Sequence, residues 1–140
     1  MKVLRSFVLA LGLLFVVSAA HAQSGAVAAR VPFDFVVGSE VYPAGNYLLS
    51  SWGAARGSIL IQSRDKLRYR MIPTHTCQKL EMAEKDVLIF HRYGDRYFLE
   101  EVWLKGNTIG RQFFASNVET QLAKNHTGPE GTMVTPAATE

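Results

Sequence analysis

The run Asp86-Val87-Leu88-Ile89-Phe90-His91-Arg92-Tyr93-Gly94-Asp95-Arg96-Tyr97-Phe98-Leu99-Glu100-Glu101-Val102-Trp103-Leu104 decides the fold. Two stretches rich in β-branched and aromatic residues flank Gly94-Asp95. Gly in the first loop position suits a two-residue II′ turn, because it takes positive φ without a Cβ clash. The reading is a β-hairpin, with strands over residues 86–93 and 96–104. A two-residue loop also sets the register: Tyr93 opposite Arg96, Arg92 opposite Tyr97, His91 opposite Phe98.

The same period-two grammar extends upstream. Val31, Phe33, Phe35 and Val37 alternate with Pro32, Asp34 and Val36, which predicts one strand with an apolar face. Pro32 cannot donate to a ladder and belongs at that strand's start or on an edge. Further strands are expected over residues 40–42, 46–52, 58–63 and 67–72, with turns at Pro43-Ala44-Gly45 and Arg64-Asp65-Lys66. In residues 67–72, Leu67, Tyr69 and Met71 are expected inward, with Arg68 and Arg70 outward. Residues 73–85 show no clear period. A last strand spans 108–115. Ser116-Asn117-Val118-Glu119 then forms a capping box, opening a helix over 117–124 with Val118 and Leu122 as its apolar pair.

The fold class that follows is all-β: about eight short antiparallel strands in a small sandwich or barrel, with one short C-terminal helix. Successive connections are mostly too short for crossover helices.

Residues 1–22 predict a cleavable export signal. Lys2 and Arg5 precede an unbroken apolar run over 7–17, and Ala20-His21-Ala22 supplies a small-residue exit. That run is shorter than the roughly 20 residues a spanning helix needs. Residues 23–30 read as a flexible leader, 31–125 as one β domain, and 126–140 as a disordered tail. Removing Lys2 and Arg5 from the 15 basic residues leaves 13 against 12 acidic, a net of +1. So small a charge gives no reason to expect nucleic acid as a partner. Cys77, the one cysteine, has no intrachain partner in an oxidising compartment.

No motif for catalysis or for a cofactor is legible. His75-Thr76-Cys77 offers two soft ligands, but a zinc site needs more, and no second pair lies nearby. Glu100-Glu101 are adjacent carboxylates, which a regular strand sends to opposite faces. Neither a G-x-S-x-G elbow nor a phosphate-cradling Gly loop is present. Two surfaces stand out as candidate binding sites. His91, Arg92, Tyr93, Arg96 and Tyr97 cluster about the hairpin turn, where Arg and Tyr can stack across strands. Arg64, Lys66, Arg68 and Arg70 share one parity and would form a basic row along a strand, able to meet an anionic polysaccharide or a lipid headgroup, or to charge an edge against aggregation.

Val31-Pro32-Phe33-Asp34-Phe35-Val36-Val37-Gly38, Pro43-Ala44-Gly45-Asn46-Tyr47 and Leu88 through Leu99 carry a resemblance. The chain resembles a family of small, signal-peptide-bearing, β-rich proteins of acidobacteria, over most of residues 31–124. The run His91-Arg92-Tyr93-Gly94-Asp95-Arg96-Tyr97-Phe98-Leu99 is its most specific part. The resemblance implies export and a β fold; it transfers no activity, site or cofactor.

The expectation is therefore an exported, non-enzymatic β domain, a binding or structural module of the periplasm or cell exterior. Its partner would be an envelope component or an anionic polysaccharide. Two alternatives stand beside it. One is a lipocalin-like carrier of a small apolar ligand, with Phe33, Phe35, Tyr47, Trp52, Phe90, Phe98 and Trp103 lining a pocket. The other is a hydrolase using His91.

Overall fold

The computed structural model describes residues 25–50, 57–65, 68–126 and 128–134. The expected signal, Trp52, Lys66, Leu67 and the end of the expected tail lie outside the described residues. None of the described helices is long and apolar enough to cross a membrane.

Ten strands and one helix follow in chain order: β1 (Ala26–Val31), β2 (Phe35–Val37), β3 (Glu40–Tyr42), β4 (Gly45–Ser50), β5 (Ser58–Ser63), β6 (Tyr69–Gln78), β7 (Val87–Tyr93), β8 (Arg96–Trp103), β9 (Ile109–Phe113), α1 (Asn117–Asn125) and β10 (Glu130–Val134). The all-β class holds. The strands form one strongly folded mixed sheet rather than a closed barrel, in the order β1-β4-β5-β6-β9-β8-β2-β3, with β7 on the other side of β8 and β10 beyond it.

The sheet bends at β6, which makes two facing layers. Residues 69–73 of β6 pair with β5, and residues 74–78 pair with β9. One layer is thus β1, β4, β5 and the first half of β6. The other holds β10, β7, β8, β9, β2 and β3. Pro73 sits at the bend, where its missing N–H costs least.

Several expectations change at this level. The stretch 31–37 is not one strand. It breaks at Pro32, Phe33 and Asp34, and the two pieces go to different layers: β1 pairs with β4, and β2 pairs with β8. The alternation survives the crossing, so Val31, Phe35 and Val37 are all buried and Phe33 packs against the core. The β2–β8 pair is parallel, so the sheet is not purely antiparallel. Pro43-Ala44-Gly45 is no hairpin turn, because β3 pairs with β2 while β4 pairs with β1. It carries the chain between layers, and Asp34 Oδ1 accepts the Ala44 amide at 2.8 Å to hold the crossing.

The leader is strand from Ala26 onward, and the tail returns as β10 on β7. Both are small-residue or polar segments without strong alternation. Each is held by a ladder offered by a neighbouring edge, not by its own propensity. The irregular stretch 73–85 is β6 as far as Gln78. In β6 the inward face is also reversed. Tyr69 and Met71 are 73% and 53% exposed, while Ile72 and Thr74 turn inward. The cause is register: Ile59 and Ile61 are buried, and pair with Ile72 and Arg70. Arg68 and Arg70 therefore continue the inner face past the end of the core.

Rings fill the end of the interlayer space where β2, β3 and β4 meet. Phe35 meets Tyr47 and Phe90 edge-on at 5.1 and 5.5 Å and stacks on Tyr42 at 5.4 Å. Phe33 stacks on Tyr97 at 3.8 Å. Each such side chain removed from water contributes about 1.5–3 kcal/mol, and the edge-on geometry adds to it. On the outer face Trp103 is buried beneath Lys79, whose Nζ stands 3.9 Å above the ring.

Candidate functional site

The hairpin forms with the anticipated register and Gly94 at φ 62. Its five polar and aromatic residues nevertheless do not make one surface. Tyr93 is buried, edge-on to Phe98 at 5.8 Å. Tyr97 packs inward on Phe33. Arg92 pairs with Glu130 of β10. Arg96 is exposed. His91 faces α1. Alternation splits the cluster between two faces, and the added strand β10 takes Arg92. The basic row is also not one strand. Arg64 lies in the turn before β6, and Lys66 lies outside the described residues. Only Arg68 and Arg70 come together.

They meet at a seam. β3 is an edge strand beside the first half of β6, and no ladder joins them. Across the gap Arg70 Nη2 contacts Glu40 Oε1 at 2.6 Å and Arg70 Nε donates to Glu40 Oε2 at 3.1 Å. This is a bidentate fork, the geometry that gives Arg–carboxylate pairs their specificity. Behind it lies a recess of about 270 Å³ whose lining includes Tyr42, Tyr47, Ser63, Arg68 and Tyr69. Arg68 forms no ion pair among the described residues. Burial, helped by the Glu40 carboxylate, pushes the Tyr42 phenol up to about 12. Burial, helped by Asp34, also raises Tyr47, whose hydroxyl donates to the Pro43 carbonyl at 2.5 Å. Both phenols therefore stay protonated at neutral pH. The recess offers aromatic faces, a guanidinium, and a carboxylate already half-used.

Farther along the same strands a second recess of about 430 Å³ opens between the layers, lined mainly by Val27, Leu49, Ile59, Val102 and Ile109, with Arg111 at its rim.

A third arrangement lies on the outer face, under α1. The β7–β8 register shifts between Ile89 and Phe90, so Ile89 faces Glu101 while Phe90 faces Leu99. This bulge leaves Glu100 without a partner and turns both Glu100 and Glu101 to the outer face, contrary to the opposite-face expectation. Glu101 accepts from Trp103 Nε1 at 2.7 Å. Glu100 instead reaches toward His91, whose Nδ1 is 3.6 Å from Glu100 Oε2 and 3.2 Å from Glu119 Oε1. Gln112 donates to Glu100 Oε1 at 2.6 Å, and its own oxygen lies 2.7 Å from His75 Nε2. Glu119 comes from α1. Its amide donates to the Ser116 hydroxyl, so the anticipated N-cap is present. The face that α1 turns inward is not the expected one, since Val118 is exposed and Glu119 is buried. Burial raises the Glu119 carboxyl above its ordinary range, against the pull of His91.

His91, Glu100 and Glu119 place one ligand atom each within 4.8 Å of the others and could hold a cation. Sequence reasoning missed the set because the three lie far apart in the chain and on two kinds of element. One signal was present: Phe98-Leu99, Glu100-Glu101 and Val102-Trp103 run in like pairs, which breaks period two as a bulge does. Cys77 is half-buried opposite Gly110, with burial raising its thiol. No family model, curated protein or solved structure matches the chain.

Proposed function

We propose that the chain is an exported, non-enzymatic binding module that takes a carboxylate-bearing sugar unit of an anionic polysaccharide at the β3–β6 seam. The observation that carries this reading is the convergence of Arg68 with Tyr42 and Tyr47 around the Glu40–Arg70 fork, in one recess. A guanidinium matches a carboxylate in plane and in hydrogen-bond number. Ring faces suit the apolar side of a sugar, and the phenol oxygens, whose protons go to Glu40 and to the Pro43 carbonyl, can accept from its hydroxyls. The volume falls below the roughly 300–1,000 Å³ of pockets that enclose a drug-sized ligand, which suits one small unit of a chain.

The test is calorimetric titration of the whole chain with oligogalacturonate and with its methyl ester. Saturable binding of the acid, at least tenfold weaker for the ester and for Arg68→Ala, is the expected outcome. Equal binding of acid and ester, or no effect of Arg68→Ala, would remove this reading.

The apolar recess at Val27, Leu49 and Ile59 favours a second reading, a carrier of a small apolar ligand. A co-purifying lipid found by native mass spectrometry would support it. A hydrolase built on His91 draws less support, because that imidazole is engaged by two carboxylates rather than by a nucleophile.

A further inference from the structure

We infer that His91, Glu100 and Glu119 form a binding site for a divalent transition-metal cation, Zn²⁺ being the best match, on the face opposite the core. The first argument is charge. The side chains of Glu100 and Glu119 are 12% and 7% exposed. Among the described residues, the one basic group within ion-pair distance of either is His91. Two nearly buried carboxylates sharing a single imidazole are undercompensated, and burying such charge is costly unless it is paired or bound to a metal. A dication balances both.

The second argument is distance. Zn–N and Zn–O bonds of about 2.0–2.2 Å at tetrahedral angles put neighbouring ligand atoms about 3.3–3.6 Å apart. The two separations from His91 Nδ1 are 3.2 and 3.6 Å. The longer is beyond a good hydrogen bond but suits the edge of a coordination tetrahedron. The two carboxylate oxygens lie within 4.8 Å of each other, a gap that a rotation of either side chain closes. The third argument is support around the ligands. Gln112 holds Glu100 Oε1 and is itself held by His75, which leaves Glu100 Oε2 aimed at the site. Outer hydrogen bonds of this kind orient metal ligands. The bulge at Ile89/Phe90 exists where the register must shift to bring Glu100 to this face, as bulges do when they re-aim a side chain. With His91 28% exposed, solvent can supply a fourth ligand. One nitrogen and two oxygens favour a borderline metal over Ca²⁺, which takes six to eight oxygens.

The experiment is calorimetric titration of the whole chain, stripped with EDTA, against Zn²⁺, Mn²⁺ and Ca²⁺. Far-UV circular dichroism of each metal-free variant checks the fold. The expected result is one Zn²⁺ per chain, bound more tightly than Mn²⁺ and much more tightly than Ca²⁺. His91→Gln or Glu119→Gln should weaken Zn²⁺ at least a hundredfold. Gln112→Ala should weaken it about tenfold, through Glu100. X-ray absorption of the zinc form should show nitrogen and oxygen ligands without sulfur. No saturable Zn²⁺ binding, binding unchanged in folded His91→Gln, or a sulfur ligand pointing to Cys77 would each overturn the inference.

Discussion

Gly110 lies flat against Trp103: a Cβ at position 110 would stand 2.7 Å from Cδ2 of the indole and 2.8 Å from Cε2. The ring cannot yield easily, since Lys79 covers it and its Nε1 is tied to Glu101. Gly110 is thus a close-approach glycine, chosen for space. Gly110→Ala should destabilise the fold by about 1–3 kcal/mol, the usual cost of overpacking. Urea denaturation should show a lower midpoint with an unchanged slope. An unshifted midpoint would mean that Trp103 sits elsewhere.

Phe35 ties the two layers together. It comes from β2 in one layer and touches Tyr47 of β4 in the other, as well as Phe90 beside it. At 2% exposure it has no solvent face to collapse toward. Phe35→Ala should cost about 3–5 kcal/mol, a large share of the roughly 5–15 kcal/mol that stabilises a domain. Loss of the cooperative thermal transition, or a fall of many degrees in Tm, is the expected outcome of differential scanning calorimetry. Phe35→Asp, which adds a buried charge, should not fold at all.

What the sequence made legible follows from how local each determinant is. The β7–β8 hairpin is written in adjacent residues, so its turn position, both strands and the register beside the turn came through, while the bulge at Ile89/Phe90 did not. The Ser116 cap is equally local. The division of 31–37 between layers was hidden because alternation is preserved through the crossing at Pro32–Asp34. β1 and β10 were hidden because small and polar residues become strand only where an edge of β4 or β7 receives them. The recess needed the β5–β6 register, which reversed the inward face and brought Arg68 and Arg70 onto the core side. The outer-face cluster needed a bulge and a helix 28 residues from His91 to meet in space.

Tyr42 gives a pH signature for the seam. Its phenol is pushed from an ordinary 10.0 to about 12, by burial first and by the Glu40 carboxylate next. The folded state therefore holds this proton more tightly than the unfolded chain. The resulting stability is fully present below pH 10 and is lost as pH rises from 10 toward 12. Absorbance titration of the phenolates should show late-ionising tyrosines, because burial also raises Tyr47 and Tyr93, and one fewer of them in Tyr42→Phe. The stability advantage of the parent over that variant should shrink across the same window. A complete tyrosine titration centred near pH 10 would contradict the burial of Tyr42 behind the Glu40–Arg70 fork.

Thr74 tests the bend in β6. It is 5% exposed beside the core, and its Oγ1 has no hydrogen-bond partner among the described residues. Its neighbour across the ladder is Phe113, and the chain bends at Pro73 just before it. A buried hydroxyl left unpaired costs about 1–3 kcal/mol. Valine has the same branched shape and equal strand preference, and it fills the position without that penalty. Thr74→Val should therefore raise stability by about 1 kcal/mol, against the general tendency of core substitutions to destabilise. A higher urea midpoint would establish that the hydroxyl is stranded in an apolar layer. A drop of similar size would show that Thr74 makes a hydrogen bond, and that the inner face of β6 at the bend is wetter than its neighbours imply.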